Sequence, residues 1–464
     1  MDYDVLVLGG GIIGCAVAYE LSKYSLNIAL IEKDYDIADD VALTNTAIVY
    51  DGMECEDTLM AKLEFMGNSM FSEITKKFNI PFKRCGSLIT AEGAKGVEQI
   101  EKMYKSAQQR GIDYVELLSG DEARTKESSL SKSVVKALYS PNTGVVCPYD
   151  LAIAYGEVAF DNGVIFRLSE EVVDIESISK GVRVTTNKNK FTCKVVVNTT
   201  PGDHYSIDAD RKLAYKQEEY INYFVLEEEE KDTYSKIVFS LGEDGDTAYY
   251  INTLMEHNLV SVRTKKVLNL EETLNKAVSL VGEVDKNQID SFYSSPYRSD
   301  VMIIDDSYLN NGYVRITGNH YGQVTMTPSI AKMVCETIVG NLNAKLRKNF
   351  KDSRRDVFRF RELPNDERQN LIKLDKKYGN IICTCQMITE GEIVDSIRRP
   401  LGARTLEGIQ RRTGATLGRC KGSYCLNKII SILARETNRH VTEIVLDSKK
   451  SKIILNRIKE FDSV

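Results

Sequence analysis

Residues 3–14 read YDVLVLGGGIIG, and this stretch decides the fold. Tyr3–Leu8 is a short apolar run without alternation, as expected of a parallel strand buried on both faces. It ends at Gly9, Gly11 and Gly14, spaced G-x-G-x-x-G, and residues 12–24 then read as a helix. A strand entering a helix through such a turn forms a phosphate-binding corner. The glycines allow the tight turn, bring the backbone against a pyrophosphate and let the helix pack on the strand. Residues 27–31 (NIALI) supply the second strand, and Glu32 stands at its end. A carboxylate there takes both ribose hydroxyls and repels a 2′-phosphate, so FAD or NAD is expected rather than NADP.

Further along, residues 151–162 read as a helix, with strands near 164–166, 182–186 and 194–198. Residues 312–318 and 328–339 read as strand and helix. Between these pieces, 220–226, 247–251 and 259–262 are more aromatic and alternating, like strands of a separate sheet. The predicted class is α/β (α+β overall). A Rossmann-like nucleotide-binding domain takes residues 1–80, 140–210 and 300–344, and a discontinuous β-rich substrate domain takes 81–139 and 211–299. A linker, 345–377, opens on the basic run KLRKNFKDSRR (345–355), read as a solvated connector, and a small helical domain with a C-terminal tail covers 378–464.

The 464 residues exceed one core, and a net charge of −6 argues against a nucleic-acid binder. The chain opens almost directly in a strand and has no apolar run of the ~20 residues that span a bilayer. A cytoplasmic protein is expected, with peripheral membrane association left open. Cys15, Cys55, Cys85, Cys147, Cys193 and Cys335 are scattered, as small buried side chains would be.

The other four cysteines are not scattered. Cys383 and Cys385 form C-T-C, and Cys420 and Cys425 form C-K-G-S-Y-C. Four thiolates can hold a [2Fe-2S] cluster, two per iron, with the C-x-C loop as one pair and the C-x4-C loop as the other. A structural zinc is the alternative, though a C-x-C half-site is unusual for zinc. Thr389 to Glu392 is a capping-box pattern, and helices are expected after Thr405 and over 426–435. Arg398, Arg399, Arg404, Arg411, Arg412, Arg419 and Lys421 surround the cysteines, either favouring cluster reduction or docking an electron-transfer partner. A nucleotide cofactor at one end and a one-electron centre at the other describe an enzyme that takes two electrons and passes them on singly.

Residues 43–50 (LTNTAIVY), 140–149 (SPNTGVVCPY), 195–198 (VVVN) and 317–331 resemble, in order, segments of the glycerol-3-phosphate dehydrogenase and D-amino-acid oxidase superfamily of flavoproteins. The tail from 378 to 425 resembles the BFD-like [2Fe-2S] domain fused to the large subunit of anaerobic glycerol-3-phosphate dehydrogenases. The resemblance implies FAD, held by Gly9, Gly11, Gly14, Glu32, Lys33, Thr44, Asn45, Thr46, Val172, Gly318, Gly322, Gln323, Val324 and Thr325. It implies a small anionic substrate, clamped by Arg298, with Arg263 and Arg315 as weaker candidates. His320 is the expected base, and Tyr50 a polar contact from the opposite loop. Glycerol 3-phosphate is the implied substrate; a 2-hydroxy acid, an amino acid or an amine is the alternative, and a non-catalytic redox subunit a third. With no second G-x-G-x-x-G for NAD, a second flavoprotein or iron–sulfur subunit is expected to collect the electrons from an oligomeric enzyme. The sequence departs from the family at Ala47 (Gly), Tyr50 (often His), Thr199–Gly202 (A-A-G) and Gly322-Gln323 (Pro-Gly).

Overall fold

The structure, a computed structural model, describes residues 1–39, 47–200, 205–209, 218–226, 234–252, 254, 258–282, 284–298, 302–318, 320–418 and 420–456, with backbone alone at 218 and 296–298. Two eight-stranded sheets organise it.

In the first sheet, Tyr3–Leu8 lies between Ile28–Ile31 and Lys190–Asn198, all parallel, with Ile165–Arg167 outside Ile28–Ile31. Tyr313–Thr317 runs parallel to the end of Lys190–Asn198. An antiparallel ribbon, Val172–Ile178 and Gly181–Thr186, pairs with the start of Lys190–Asn198. The central strands are apolar throughout because helices cover them. Ile12–Ser22 packs against Pro148–Asp161 and Gln323–Leu342, and the last of these packs on Thr58–Lys77. Val5, Val7, Val17, Leu30, Val197 and Ile330 lie in this core, each fully shielded from solvent or nearly so. The helix Gln323–Leu342 starts five residues before the expected Pro328. Pro328 sits inside it, where its ring removes one N–H from the ladder without ending the helix.

The second sheet runs Ile289–Arg298, Glu218–Leu226, Asn258–Thr264, Thr247–Asn252, Ile237–Leu241, Ser87–Ala91, Lys136–Ser140, Glu116–Ser119. Its alternating strands bury Ile89, Phe239 and Tyr249 on one side and Leu88, Val238 and Tyr250 on the other.

In the tail, Thr389 caps Glu390–Arg398 in a reciprocal box with Glu392, and Thr405 caps Leu406–Thr413. Leu426–Thr437 follows directly on Cys425. Ile393, Ile409, Ile429 and Leu433 form the small core of these three helices. The basic run before this domain is not a solvated connector. Arg354 is buried, donating to Asp150 (2.7 Å) and Glu157 (2.7 Å), and Asn365–Leu374 is helical. The segment runs across an acidic stretch of its own chain, a pairing too distant in sequence for charge pattern to show.

Candidate active site and iron–sulfur centre

The phosphate-binding corner is built at the carboxyl ends of parallel strands, where open α/β sheets take their ligands. Gly9 has φ +98°, and a Cβ on Gly14 would stand 2.0 Å from the Gly9 carbonyl oxygen, so the helix rests directly on the turn. Gly11 caps Ile12–Ser22 with no side-chain hydrogen bond to the first turn. An open helix start beside a glycine turn suits a pyrophosphate. Glu32 Oε2 accepts from Gly10 N–H at 2.6 Å, which holds the carboxylate at the corner. Glu170 N–H donates to the Glu32 carbonyl oxygen (2.9 Å), which brings the strand starting at Val172 alongside. Lys33 is exposed. Thr199, one of the departures from the family, donates to the Leu8 carbonyl oxygen at 2.7 Å and closes the far side of the turn. Thr44, Asn45 and Thr46 lie outside the described residues. These features fit the ADP half of FAD.

The second part of the site follows Tyr313–Thr317. Gly318 has φ +103°, and Gly322 caps the helix Gln323–Leu342, again without a side-chain cap. Thr325 Oγ1 accepts from Tyr50 N–H at 2.9 Å, so the segment after residue 47 is pinned to the start of this helix. The Tyr50 ring is buried edge-on against Tyr321 (4.9 Å between centroids), away from the substrate-sized space.

That space is a cavity of about 590 Å³ beneath the second sheet. His320, Tyr321, Arg263, Thr264, Cys55 and Glu54 are among its walls. Arg263 donates to Glu54 Oε2 at 2.6 Å and lies over the Tyr321 ring at 4.6 Å. Arg315, by contrast, is buried against Asp208 (3.2 Å) in the first sheet and serves the scaffold. Arg298 ends the strand Ile289–Arg298 opposite Glu218, and its side chain lies outside the described set.

His320 is buried, and its Nδ1 accepts from Gly322 N–H at 3.0 Å. The neutral ring therefore carries its proton on Nε2, 3.9 Å from Cys55 Sγ. In this orientation the ring offers a donor rather than a base. Burial and the Arg263 charge push its pKa down to about 4. Its neighbour Glu64, fully buried, was not foreseen from sequence. A single Glu in a helical stretch reads as solvent-facing, and no other signal marks it. Burial raises its carboxyl well above the ordinary range, helped by Glu54 and Asp51. The 3.8 Å approach of Glu64 Oε1 to His320 Nδ1 thus joins two neutral groups and is not an ion pair. Cys55, Glu64 and His320 could together grip a cation. The Gly322 N–H held on Nδ1 gives the ring the wrong tautomer for a ligand whose other nitrogen must donate.

In the tail domain the four cysteines converge, but the thiols meet across the two motifs. Cys385 contacts Cys420, and Cys383 contacts Cys425. The antiparallel turn 381–389 lays its two cysteines against different ends of the 420–425 loop. Cys383 and Cys425 are buried, while Cys385 is exposed and Cys420 half-buried. Cys385 and the backbone N–H groups of Tyr424, Gly422 and Ser423 lower the Cys420 thiol, whereas burial and the neighbouring Cys383 push the Cys425 thiol up to about 12. Four converging sulfurs with no His or carboxylate among them fit a [2Fe-2S] cluster. The surrounding arginines are mostly tied within the chain. Arg399 binds Glu157, Arg411 binds Asp39, Arg412 binds Asp36 and Arg398 binds Glu436. Lys421 reaches Asp290 at 3.3 Å, Arg404 binds backbone carbonyls, and Arg419 is outside the described residues.

The two arrangements define a flavin-dependent oxidoreductase with a second, iron–sulfur centre. The chain belongs to the FAD dependent oxidoreductase (DAO) family, which it matches over residues 4–337, and residues 381–435 match the BFD-like [2Fe-2S] binding domain. Its cofactors are accordingly FAD and a [2Fe-2S] cluster. It is 33% identical to a glycerol 3-phosphate dehydrogenase of Caloramator mitchellensis, over 98% of this chain and 99% of that protein. It is 28% identical to a glycerol 3-phosphate oxidase of Mycoplasma pneumoniae over 41% of this chain and 50% of that one. The fold matches the dithionite-reduced L-α-glycerophosphate oxidase of M. pneumoniae with FAD bound, with a TM-score of 0.64 at 21% identity, covering 76% of this chain and 98% of that structure. No described helix is long and apolar enough to cross a membrane.

Proposed function

We propose that the protein oxidises glycerol 3-phosphate to dihydroxyacetone phosphate and hands the electrons to a separate redox protein. The observation that carries this is the end-to-end likeness to the C. mitchellensis enzyme, through both the flavin and the iron–sulfur parts. When bound, FAD would supply a two-electron acceptor for the substrate C–H bond, and a [2Fe-2S] cluster a one-electron carrier. Gly9, Gly11, Gly14 and Glu32 would hold the ADP half, Gly318, Gly322, Gln323, Val324 and Thr325 the ring, and Cys383, Cys385, Cys420 and Cys425 the cluster. Arg263, in the cavity wall, and Arg298 are the groups for the phosphate. His320 directs Nε2–H at the substrate oxygen. Acting as the base instead would require the ring to release the Gly322 N–H and take the other tautomer. Tyr50 acts through Tyr321, behind the cavity wall.

The cavity rim favours a second reading. Glu54, Glu56, Asp57, Glu219 and Asp246 outnumber Arg263 and Lys265 there, a balance that suits an amine or amino acid better than a dianion. Anaerobic bleaching of the flavin separates the readings. Glycerol 3-phosphate should bleach it, while lactate, 2-hydroxyglutarate and amino acids should not. Bleaching by an amino acid alone would replace the first reading with the second. No bleaching by any of them would point to a redox subunit without a substrate.

A further inference from the structure

Asp36 lies four residues beyond Glu32 on the loop that leaves the second strand, and it is 2% exposed. That loop is held from two sides. At the phosphate-binding corner, Gly10 N–H donates to Glu32 Oε2 (2.6 Å) and Ala38 N–H donates to the Gly10 carbonyl oxygen (2.9 Å). From the iron–sulfur domain, Arg412 Nη1 and Nη2 donate to the two oxygens of Asp36 at 2.7 Å each. Arg411 Nη1 donates to Asp39 Oδ1 at 2.5 Å. Arg412 is fixed in turn by the carbonyl oxygens of Gly408 (2.9 Å) and Leu401 (2.6 Å). A Cβ on Gly408 would stand 2.4 Å from Asp36 Oδ2, so the helix bearing Arg412 has a glycine where the carboxylate docks. Leu401 and Ile37 converge on Gly156, which puts an apolar contact from each domain beside the ion pair.

A bidentate pair this buried fixes the position of both partners, and removing one strands the other without a counter-charge. Neither residue lines the substrate cavity or belongs to the cysteine motifs. What the pair fixes is the loop that presents Glu32. We infer that Asp36 and Arg412 are positioning residues for the FAD site, so that the iron–sulfur domain completes the pocket for the ADP half and FAD is held fully only when that domain is docked. The inference rests on the assignment of FAD to the Gly9–Glu32 corner and not on the identity of the substrate. By reciprocity, bound FAD tightens the docking of the domain by the same factor.

The test uses full-length protein stripped of FAD, with its iron and sulfide counted, and titrates FAD by quenching of flavin fluorescence. Asp36→Asn should raise the Kd for FAD about tenfold or more with iron and sulfide unchanged. Arg412→Gln should match it, and the double variant should bind no worse than either single one. Arg398→Gln, which breaks a contact to Glu436 within the iron–sulfur domain, should leave the Kd alone. An unaltered Kd in Asp36→Asn, or fully additive losses in the double variant, overturns the inference. If Arg412→Gln loses the cluster as well, Asp36→Asn decides alone, because Asp36 lies outside that domain. Failure of the wild-type protein, with FAD bound, to oxidise glycerol 3-phosphate would count against the proposed substrate and leave this inference standing.

Discussion

Neither carboxyl oxygen of Glu64 has a hydrogen-bond partner among the described residues, although the side chain is fully buried. Such a group stays protonated in the folded chain. Its folded pKa is raised, so its contribution to stability is complete below the ordinary carboxylate pKa of the unfolded chain. It is then lost as pH rises towards the folded value. Glu64→Gln keeps the shape and removes the proton, so its stabilising effect should grow from pH 4.5 to pH 8 in denaturant unfolding. A difference that stays flat with pH would show an ionised Glu64. His320 has the opposite sign. Its folded pKa of about 4 lies below the unfolded one, so its contribution is intact above pH ~6.5 and roughly 3 kcal/mol is lost as pH falls towards 4. At the cavity wall, Arg263→Ala should lower kcat/KM by about 1.5–3 kcal/mol of transition-state stabilisation while FAD stays bound. An unchanged kcat/KM would remove Arg263 from the substrate. Sequence marked His320 because histidines are few and this one lies in the segment that the family resemblance sets beside the flavin ring. It could not mark Glu64 or Cys55, whose roles come from neighbours hundreds of residues away.

Elements whose signals are local were readable. The glycine corner, the capping box at Thr389 and the helix after Thr405 each depend on residues within a few positions of one another, and each is present. Thr389 Oγ1 accepts from Glu392 N–H, and Glu392 Oε1 also accepts from Phe360 N–H at 3.0 Å, so the cap ties the first helix of the tail to the preceding segment. Thr389→Ala should cost about 1 kcal/mol of stability in that domain, within the 0.5–2 kcal/mol seen for lost caps. Hydrogen exchange in residues 390–398 would report it, and undiminished protection there would deny the cap its role. Ala47 shows the limit of local reading. Its φ of +63° lies in the left-handed region that glycine takes without strain and a Cβ does not, so the alanine costs at a position where the family's glycine would not. The run 345–355 failed to read correctly because the partners of Arg354, Asp150 and Glu157, lie on a helix 204 and 197 residues earlier.

At the scale of the molecule, the strands of the first sheet come from residues 3–31, 165–198 and 303–317, and those of the second from 87–140 and 218–298. We propose that the first group of stretches makes a discontinuous nucleotide-binding body and the second a β-rich cap. How the third domain sits on the first was not legible, because ion pairs such as Asp36–Arg412 join residues with no pattern in common. The iron–sulfur domain is thereby packed on the flavin domain, while Cys383 and Cys425 remain within its own small core and Cys385 and Cys420 lie at its surface. The two chemistries should therefore separate by mutation. Replacing any one of Cys383, Cys385, Cys420 or Cys425 by Ala leaves three thiolates, too few for two irons with two each. The cluster should be lost. Flavin bleaching by substrate should persist, since its residues lie in the other two domains, while delivery to an external one-electron acceptor should stop. Because the thiols meet as Cys383–Cys425 inside and Cys385–Cys420 at the surface, access should differ too: chelators should strip iron fastest from variants that weaken the outer pair, such as Cys420→Ser. Anaerobically prepared wild-type protein that holds one zinc, carries no sulfide and gives no paramagnetic signal on reduction would refute the electron-relay reading.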